Sequence, residues 1–585
     1  MIDNRLAGLV PQPRSVQARP GRLALSAPPA VTSGGGGPQP GASATAASAA
    51  TAVRHLLRRL PWPGSTEPGS AEPGSPEPGN ADVQCTVAID ANLGAEAYRL
   101  TIGQTGIAVA AGDTAGAVYA VQTVRQLLPA DAWRAAPVPG TTWWLPCAEI
   151  TDAPALAWRG AHLDVARHFF GKREVLTLID ALAALKLNRL HLHLTDDQGW
   201  RLESRLHAIL HQVGSHRPRT RISLNDEQPP VYEEIAHGGY YTLADLAEIA
   251  AFAAQRGMQI VPEIDLPGHC AALLAAMPEL GSGTPPPGGY QVLADWGIFP
   301  YLLAPLPESM TLLRDVFGEL VAATGARFVH IGGDECLLGA WREDPRIDAS
   351  RRERGLATAE DLHAAFLRDV ADMLAEDFGV RAVVWDEGFA SAAGDAAAPR
   401  PDTVVMAWRG MEIAQQAALA GHDVIAAPVF PTYFDYFQER VPQEPVAIGG
   451  PVRLEDVAAF APVPGGWPEQ ARANLIGAQF QVWTEYIPDA RSLEYMIFPR
   501  ACALAEVAWS GGSAGFAEGK PGKPALRGRI GAHLHRLDAA GIEYRPLSGP
   551  RPWQQGGSGP RRHRPGYLVE DVAVHLGQLA AGEDR

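Results

Sequence analysis

Downstream of Trp158 the apolar positions alternate between short, nearly continuous runs and longer stretches with helical spacing. The short runs predict strands at 159–165, 189–194, 258–264, 327–331, 381–385, 403–408, 423–426 and 475–481. The longer stretches predict helices at 174–185, 242–256, 310–323, 359–375 and 411–420, where apolar residues recur every three or four positions. Thr242 followed by Asp245 forms a capping-box signal at one helix start. Eight strands, mostly with helical crossovers, over about 350 residues fit a (β/α)8 TIM barrel with long loop insertions. A doubly wound open sheet is the competing architecture, but no glycine-rich phosphate turn follows the first strand. Further upstream, 83–89 and 97–102 read as strands, and 115–128 reads as a helix ending at Pro129. These signals predict a small N-terminal α+β domain over 1–150, a catalytic barrel over 151–546 and a C-terminal tail over 547–585. Two low-complexity stretches, 33–51 (Gly, Ala, Ser and Pro) and 63–80 (repeating Glu-Pro-Gly-Ser), read as spacers with too little apolar surface to fold.

A length of 585 residues is too great for one ordinary core, which agrees with two domains. Hydrophobic residues at 46% and charged residues at 19% are globular composition. The net charge of −16 argues against nucleic acid or an anionic membrane surface as a partner, whereas a neutral sugar would not be repelled. Residues 1–20 lack a basic start followed by an apolar run, and no stretch reaches the roughly 20 apolar residues that span a bilayer. The expectation is a soluble, cytoplasmic chain. Five scattered cysteines, an odd number, argue against a disulfide framework.

Barrel enzymes carry their chemistry at the C-terminal ends of the strands. The strand candidates supply, in order, Arg159 and Asp164; Asp196 and Asp197; Glu263, Asp265 and His269; His330, Asp334 and Glu335; Trp385, Asp386 and Glu387; Trp408 and Arg409; Tyr433, Asp435 and Tyr436; and Trp483 and Glu485. Asp334-Glu335 is the sharpest of these signals. Neighbours in a regular strand face opposite ways, but Gly332-Gly333 lets the backbone bend so that both carboxylates reach one pocket. Two close carboxylates raise each other's cost of ionisation, which suits one of them to donate a proton near neutral pH. The plain alternative is a solvated acidic turn. Trp385, Trp408 and Trp483 would each be unremarkable in a core. Together with Asp435, Glu485 and Arg159 they predict a sugar site, in which flat rings stack on C–H faces and polar groups read hydroxyls. His191-Leu-His193 places two imidazoles on one strand face, which would suit a zinc hydrolase using Asp196 or Asp334. Histidines hydrogen-bonded within the barrel interior are the preferred reading. Cys270 and Cys336 sit beside His269 and Glu335, and nothing marks either as a nucleophile.

Several of these segments carry a family likeness. Trp158-Arg-Gly-Ala-His-Leu-Asp-Val-Ala-Arg-His-Phe-Phe170 and Leu190-His-Leu-His-Leu-Thr-Asp-Asp-Gln-Gly-Trp-Arg201 resemble motifs of glycoside hydrolase family 20, the β-N-acetylhexosaminidases. So do Pro262-Glu-Ile-Asp-Leu-Pro-Gly-His269, His330-Ile-Gly-Gly-Asp-Glu335 and Trp483-Thr-Glu-Tyr486. Residues 119–129 look like the end of that family's N-terminal domain, and the likeness covers 8–30 and 83–546 in order. The resemblance implies retention assisted by the substrate's own 2-acetamido group, with no cofactor and no metal. It implies Glu335 as acid and then base, Asp334 on the acetamide N–H, and Tyr433 on the acetamide oxygen. Asp196 and His269 resemble the pair that tunes Glu335. Trp385, Trp408 and Trp483 resemble the pocket walls, while Arg159, Asp435 and Glu485 match positions that bind ring hydroxyls. The implied substrate is a carbohydrate ending in β-linked GlcNAc or GalNAc. Phe480-Gln481 and 429–432 depart from common family sequence, which leaves sugar selectivity open. The competing functions are a metal-dependent barrel hydrolase and a catalytically silent sugar-binding barrel. The presence of both Asp334 and Glu335 counts against the silent barrel.

Overall fold

Eight parallel strands close into a barrel in the order Trp158–Asp164, Arg189–His193, Gln259–Leu266, Phe328–Gly332, Arg381–Trp385, Val404–Ala407, Val424–Ala426 and Leu475–Phe480. The last strand pairs with the first, Ala478 opposite Arg159, so no edge is left open. The computed structural model describes residues 4–34, 42–63, 80–225, 227–390, 398–516 and 524–557. All eight strands lie where the apolar runs predict them, because strands buried between a filled barrel interior and covering helices read as apolar runs. The predicted helices are present as Lys172–Ala184, Leu243–Ala254, Pro307–Thr324, Ala359–Phe378 and Met411–Leu419. Thr242 and Asp245 form a complete capping box, each side chain bonded to the other's backbone.

The N-terminal region holds a six-stranded mixed sheet. Its strand order is Ser15–Leu25, Trp143–Asp152, Tyr98–Ile102, Gly106–Ala111, Asn80–Ile89 and Pro29–Ser33. Two helices, Ala42–Arg58 and Thr114–Leu127, pack on it and on each other. The first corrects the sequence reading, because the stretch 33–51 is not a plain spacer. Ala46, Ala49, Ala50 and Val53 are buried at the spacing of one helix face. Alanine is the best helix former and its small side chain permits close packing, so a composition that looks like a linker folds once the sheet is beneath it. The insert at 63–80 lies almost wholly outside the described residues.

The predicted tail is also shorter than expected. Arg551 Nη2 bonds Asp538 Oδ1 at 3.0 Å, and buried Gln554 donates to the Tyr544 carbonyl at 2.9 Å. Chain packing therefore continues to about Gly557, and 558–585 lie outside the described residues. Among the described residues no helix is long and apolar enough to cross a membrane.

Candidate active site at the C-terminal mouth of the barrel

The fourth barrel strand ends in the turn that the diglycine predicts. Gly332 and Gly333 have φ of 67° and 107°, and Glu335 follows at 52°. A Cβ on Gly332 would stand 1.6 Å from Asp265 Oδ1, so glycine is required there by space as well as by conformation. His269, across the mouth, is also left-handed at φ 51°. Non-glycine residues in this region are uncommon and concentrate at functional sites. The two bends bring their side chains together, with His269 Nε2 3.3 Å from Glu335 Oε2. His269 Nδ1 lies 3.3 Å from Asp196 Oδ1 and 3.2 Å from Asp197 Oδ2. Burial opposes a charge on this imidazole, but the carboxylates on both its nitrogens outweigh burial and hold its pKa well above the usual histidine range. Asp196 is held low: burial works against its charge, and Arg167 and the histidines overcome it.

Asp334 is buried, and its Oδ1 has no hydrogen-bond partner among the described residues. Burial, then the neighbouring Asp265, push its pKa well above the carboxylate range. Asp265 itself is raised to about 7 by burial and by Glu263. Aromatic rings wall this pocket. Trp408 and Tyr433 stack at 6.4 Å with an interplanar angle of 30°, and Trp385 and Trp483 meet at 6.0 Å. Two of the indoles are fixed by carboxylates: Trp408 Nε1 donates to Glu387 at 2.8 Å and Trp385 Nε1 to Glu263 at 3.1 Å. Asp435 is buried with Oδ1 unpaired among the described residues. Glu485 is raised to about 7 by burial, which Arg167 partly offsets.

One expected binding residue is elsewhere. Arg159 is the second residue of the first barrel strand, at the end opposite the mouth, and is fully buried. Its guanidinium donates to Glu96 Oε2 at 2.9 Å, Tyr119 Oη at 2.9 Å and the Leu156 and Lys186 carbonyls at 2.7 and 2.9 Å. It ties the small domain to the floor of the barrel. A strand of seven residues spans roughly 20 Å, so Arg159 cannot reach a sugar at the other end. The arginine at the mouth end is Arg167. It follows the same strand, reaches Asp196 at 2.8 Å and Gln198 at 3.0 Å, and lies 5.0 Å from the Trp483 ring centre. The signal was present, since Arg167 is in the quoted motif just past the strand end. Arg159→Met is expected to destabilise the fold by about 3 kcal/mol by removing the cation from Glu96, which keeps only its hydrogen bonds from Tyr119 and Asn188, with KM unchanged in the folded fraction. Denaturant unfolding with parallel steady-state rates checks both halves.

The other candidates have clear places. Asp164 shapes a turn, accepting from Ala166 N at 2.8 Å and Thr484 N at 3.1 Å. Cys270 and Cys336 point at the carbonyls of Gly268 and Asp334, and burial pushes both thiols up, away from the nucleophilic thiolate. Donor atoms of His191, Glu263 and His330 lie within 4.8 Å of one another, near enough for an ion by distance alone. His191 Nε2 and His193 Nδ1 already hydrogen-bond Glu263 at 2.9 and 2.6 Å, an arrangement that favours interior hydrogen bonding over metal ligation.

Comparison with known proteins agrees with this architecture. The family description "Glycosyl hydrolase family 20, catalytic domain" matches residues 156–512, and "Glycosyl hydrolase family 20, domain 2" matches 7–153. A beta-hexosaminidase of Porphyromonas gingivalis is 33% identical over 468 residues, covering 79% of this chain. The chain spans only 56% of that relative's length. The exo-β-N-acetylglucosaminidase of Vibrio harveyi, solved with N-acetylglucosamine, superimposes with a TM-score of 0.73 at 29% identity, covering 92% of this chain and 78% of that one. The N-acetyl-β-hexosaminidase of Streptomyces plicatus, solved with Thio-NAglucal, gives 0.70 at 29% identity, covering 93% and 98%. With both domains matched in order on a barrel of this form, the chain belongs to glycosyl hydrolase family 20.

Proposed function

We propose that the protein is an exo-acting, retaining β-N-acetylhexosaminidase that releases terminal non-reducing β-linked GlcNAc or GalNAc by substrate-assisted catalysis. The observation that carries this reading is the paired turn: Asp334 and Glu335, adjacent in sequence, lie at one aromatic-walled pocket, and His269 Nε2 stands 3.3 Å from Glu335 Oε2. The acetamide oxygen attacks the anomeric carbon as the glycosidic C–O bond breaks. Glu335 transfers its proton to the departing oxygen. The Glu335 carboxylate that remains is stabilised by the imidazolium of His269, 3.3 Å away. In the resulting oxazolinium ion positive charge spreads onto the acetamide nitrogen, whose N–H donates to Asp334. Tyr433, stacked on Trp408, donates to the acetamide oxygen. Water then attacks the same carbon while Glu335 takes one of its protons. The acetamide is restored and the configuration at the anomeric carbon is retained. Arg167, Asp435 and Glu485 bind the ring hydroxyls; Trp385, Trp408 and Trp483 enclose the acetamido methyl and the sugar face.

Initial rates on p-nitrophenyl β-GlcNAc and p-nitrophenyl β-glucoside, with and without EDTA, test this reading. Because the neighbouring acetamide supplies an intramolecular nucleophile, the glucoside is expected to be slower by at least about 10³-fold. EDTA is expected to change neither rate. Equal turnover of the two sugars would sink the acetamide mechanism. Inhibition by EDTA would revive a metal site at His191 and His193, and a folded protein with no turnover would point to a silent sugar-binding barrel.

A further inference from the structure

Behind His269 the charged groups continue into the barrel and end on Glu263, a fully buried residue of the third barrel strand. Its Oε2 accepts from His193 Nδ1 at 2.6 Å and His191 Nε2 at 2.9 Å. Its Oε1 accepts from Trp385 Nε1 at 3.1 Å and lies 2.7 Å from His330 Nδ1. The two strand-borne histidines are in different states. His191 Nδ1 faces the amide donor Gln479 Nε2 at 3.0 Å, so its proton sits on Nε2 and the ring is neutral. Burial holds its pKa down to about 4. His193 meets Glu263 with one nitrogen and Asp196 Oδ2 with the other, at 2.8 Å. A carboxylate on each nitrogen requires a proton on each, and this attraction overcomes burial to keep His193 an imidazolium.

Acidic and basic side chains therefore alternate from the barrel interior to the mouth: Glu263, His193, Asp196, His269 and then Glu335. A carboxylate buried this deeply is expensive, and apolar side chains of similar volume would ordinarily fill a barrel interior at lower cost. Its four close polar neighbours explain what it does instead. We propose that Glu263 is a positioning residue that, by gripping His193 with one oxygen and Trp385 with the other, aligns the Asp196–His269–Glu335 series and the pocket wall together. This rests on the reading of Glu335 as the acid. Without Glu263, His193 loses one of its two anions, and Asp196 is free to turn toward Arg167, which already holds it at 2.8 Å. His269 would then lose its orienting carboxylate.

The test compares wild type with Glu263→Gln, which keeps the side chain's size and removes its charge. With p-nitrophenyl β-GlcNAc, kcat is expected to fall about 10–100-fold, the range seen when outer partners that orient catalytic groups are removed. KM should stay within about threefold. The limb of the kcat/KM pH profile that reports the Glu335 proton is expected to move, which a loss of stability alone would not cause. A folded variant with wild-type kcat and an unmoved profile overturns the proposal, as does a rise in KM with kcat unchanged, since that places the effect on Trp385 only. Should the variant fail to fold, 15N-histidine NMR of the wild type decides: both His193 nitrogens are expected to be protonated through neutral pH, and a neutral tautomer overturns it. An inactive wild type would instead refute the assigned reaction, separately from the NMR result.

Discussion

Glu335→Gln is expected to lower kcat by about 10²–10⁴-fold, or about 2.7–5.4 kcal/mol of transition-state stabilisation. Glutamine occupies the same volume and can still hydrogen-bond His269, so binding and fold should be nearly unaffected while the transferable proton is gone. KM is expected to stay within a few-fold. The loss should depend on the leaving group. A nitrophenolate is already a weak base and needs little protonation, whereas a sugar hydroxyl needs a proton to leave. Steady-state rates on p-nitrophenyl β-GlcNAc and on a GlcNAc disaccharide separate the two, and the disaccharide should suffer the larger loss. An equal loss on both, or a large rise in KM with kcat intact, would show that Glu335 binds rather than protonates.

Asp334→Asn is expected to cost about 10²–10³-fold in kcat, the scale of removing one preorganised electrostatic contact to a developing charge. Asp334 Oδ1 has no partner among the described residues, so the acetamide N–H meets an uncommitted acceptor. That contact strengthens as the nitrogen becomes cationic, because the developing positive charge favours the ionised carboxylate that burial opposes in the empty site, so it acts on kcat more than on KM. The same substitution should raise stability in alkali. Burial lifts the Asp334 pKa in the folded state well above its unfolded value near 3.9. A raised pKa means that folding takes up a proton between the two values, so the group costs nothing below the unfolded value, costs more as pH rises from there, and reaches its full cost once pH passes the folded one. Wild type and Asp334→Asn should therefore shift together below about pH 4, with the variant increasingly the more stable as pH rises above that value and the gap levelling off once pH passes the folded pKa. Thermal melts across that range, with rates taken beside them, check the stability half and the catalytic half independently. A variant that is less stable at every pH would mean that the carboxylate serves the fold rather than the chemistry.

The barrel was legible because buried parallel strands need continuous apolar runs and their covering helices need periodic ones, and both are local properties of the chain. The Asp334-Glu335 pair was legible for a similar reason: Gly332-Gly333 announces a backbone that only glycine adopts cheaply. The helix Ala42–Arg58 is not legible because the alanine-rich composition of 33–51 masks the spacing of Ala46, Ala49, Ala50 and Val53. Residue type suggested an unfolded spacer, whereas the decisive quantity was the sheet surface available to cover that face.

By itself, then, the sequence determined the order of the elements, the strand ends that could carry chemistry and the bend that turns two carboxylates into one pocket. Only the tertiary structure decided which charged groups meet. Arg159 and Arg167 stand eight positions apart in one motif, yet one pairs with Glu96 across the domain boundary and the other with Asp196 at the mouth. The surroundings favour the imidazolium at His193 and the neutral ring at His191, although both lie on the same face of the same strand. Their difference comes from Asp196 at one ring and Gln479 at the other, the latter 288 residues away in sequence. Apolar burial is set by each residue's own side chain and spacing. Protonation and ion pairing act over a few ångströms in space, and chain closure alone brings those partners within reach.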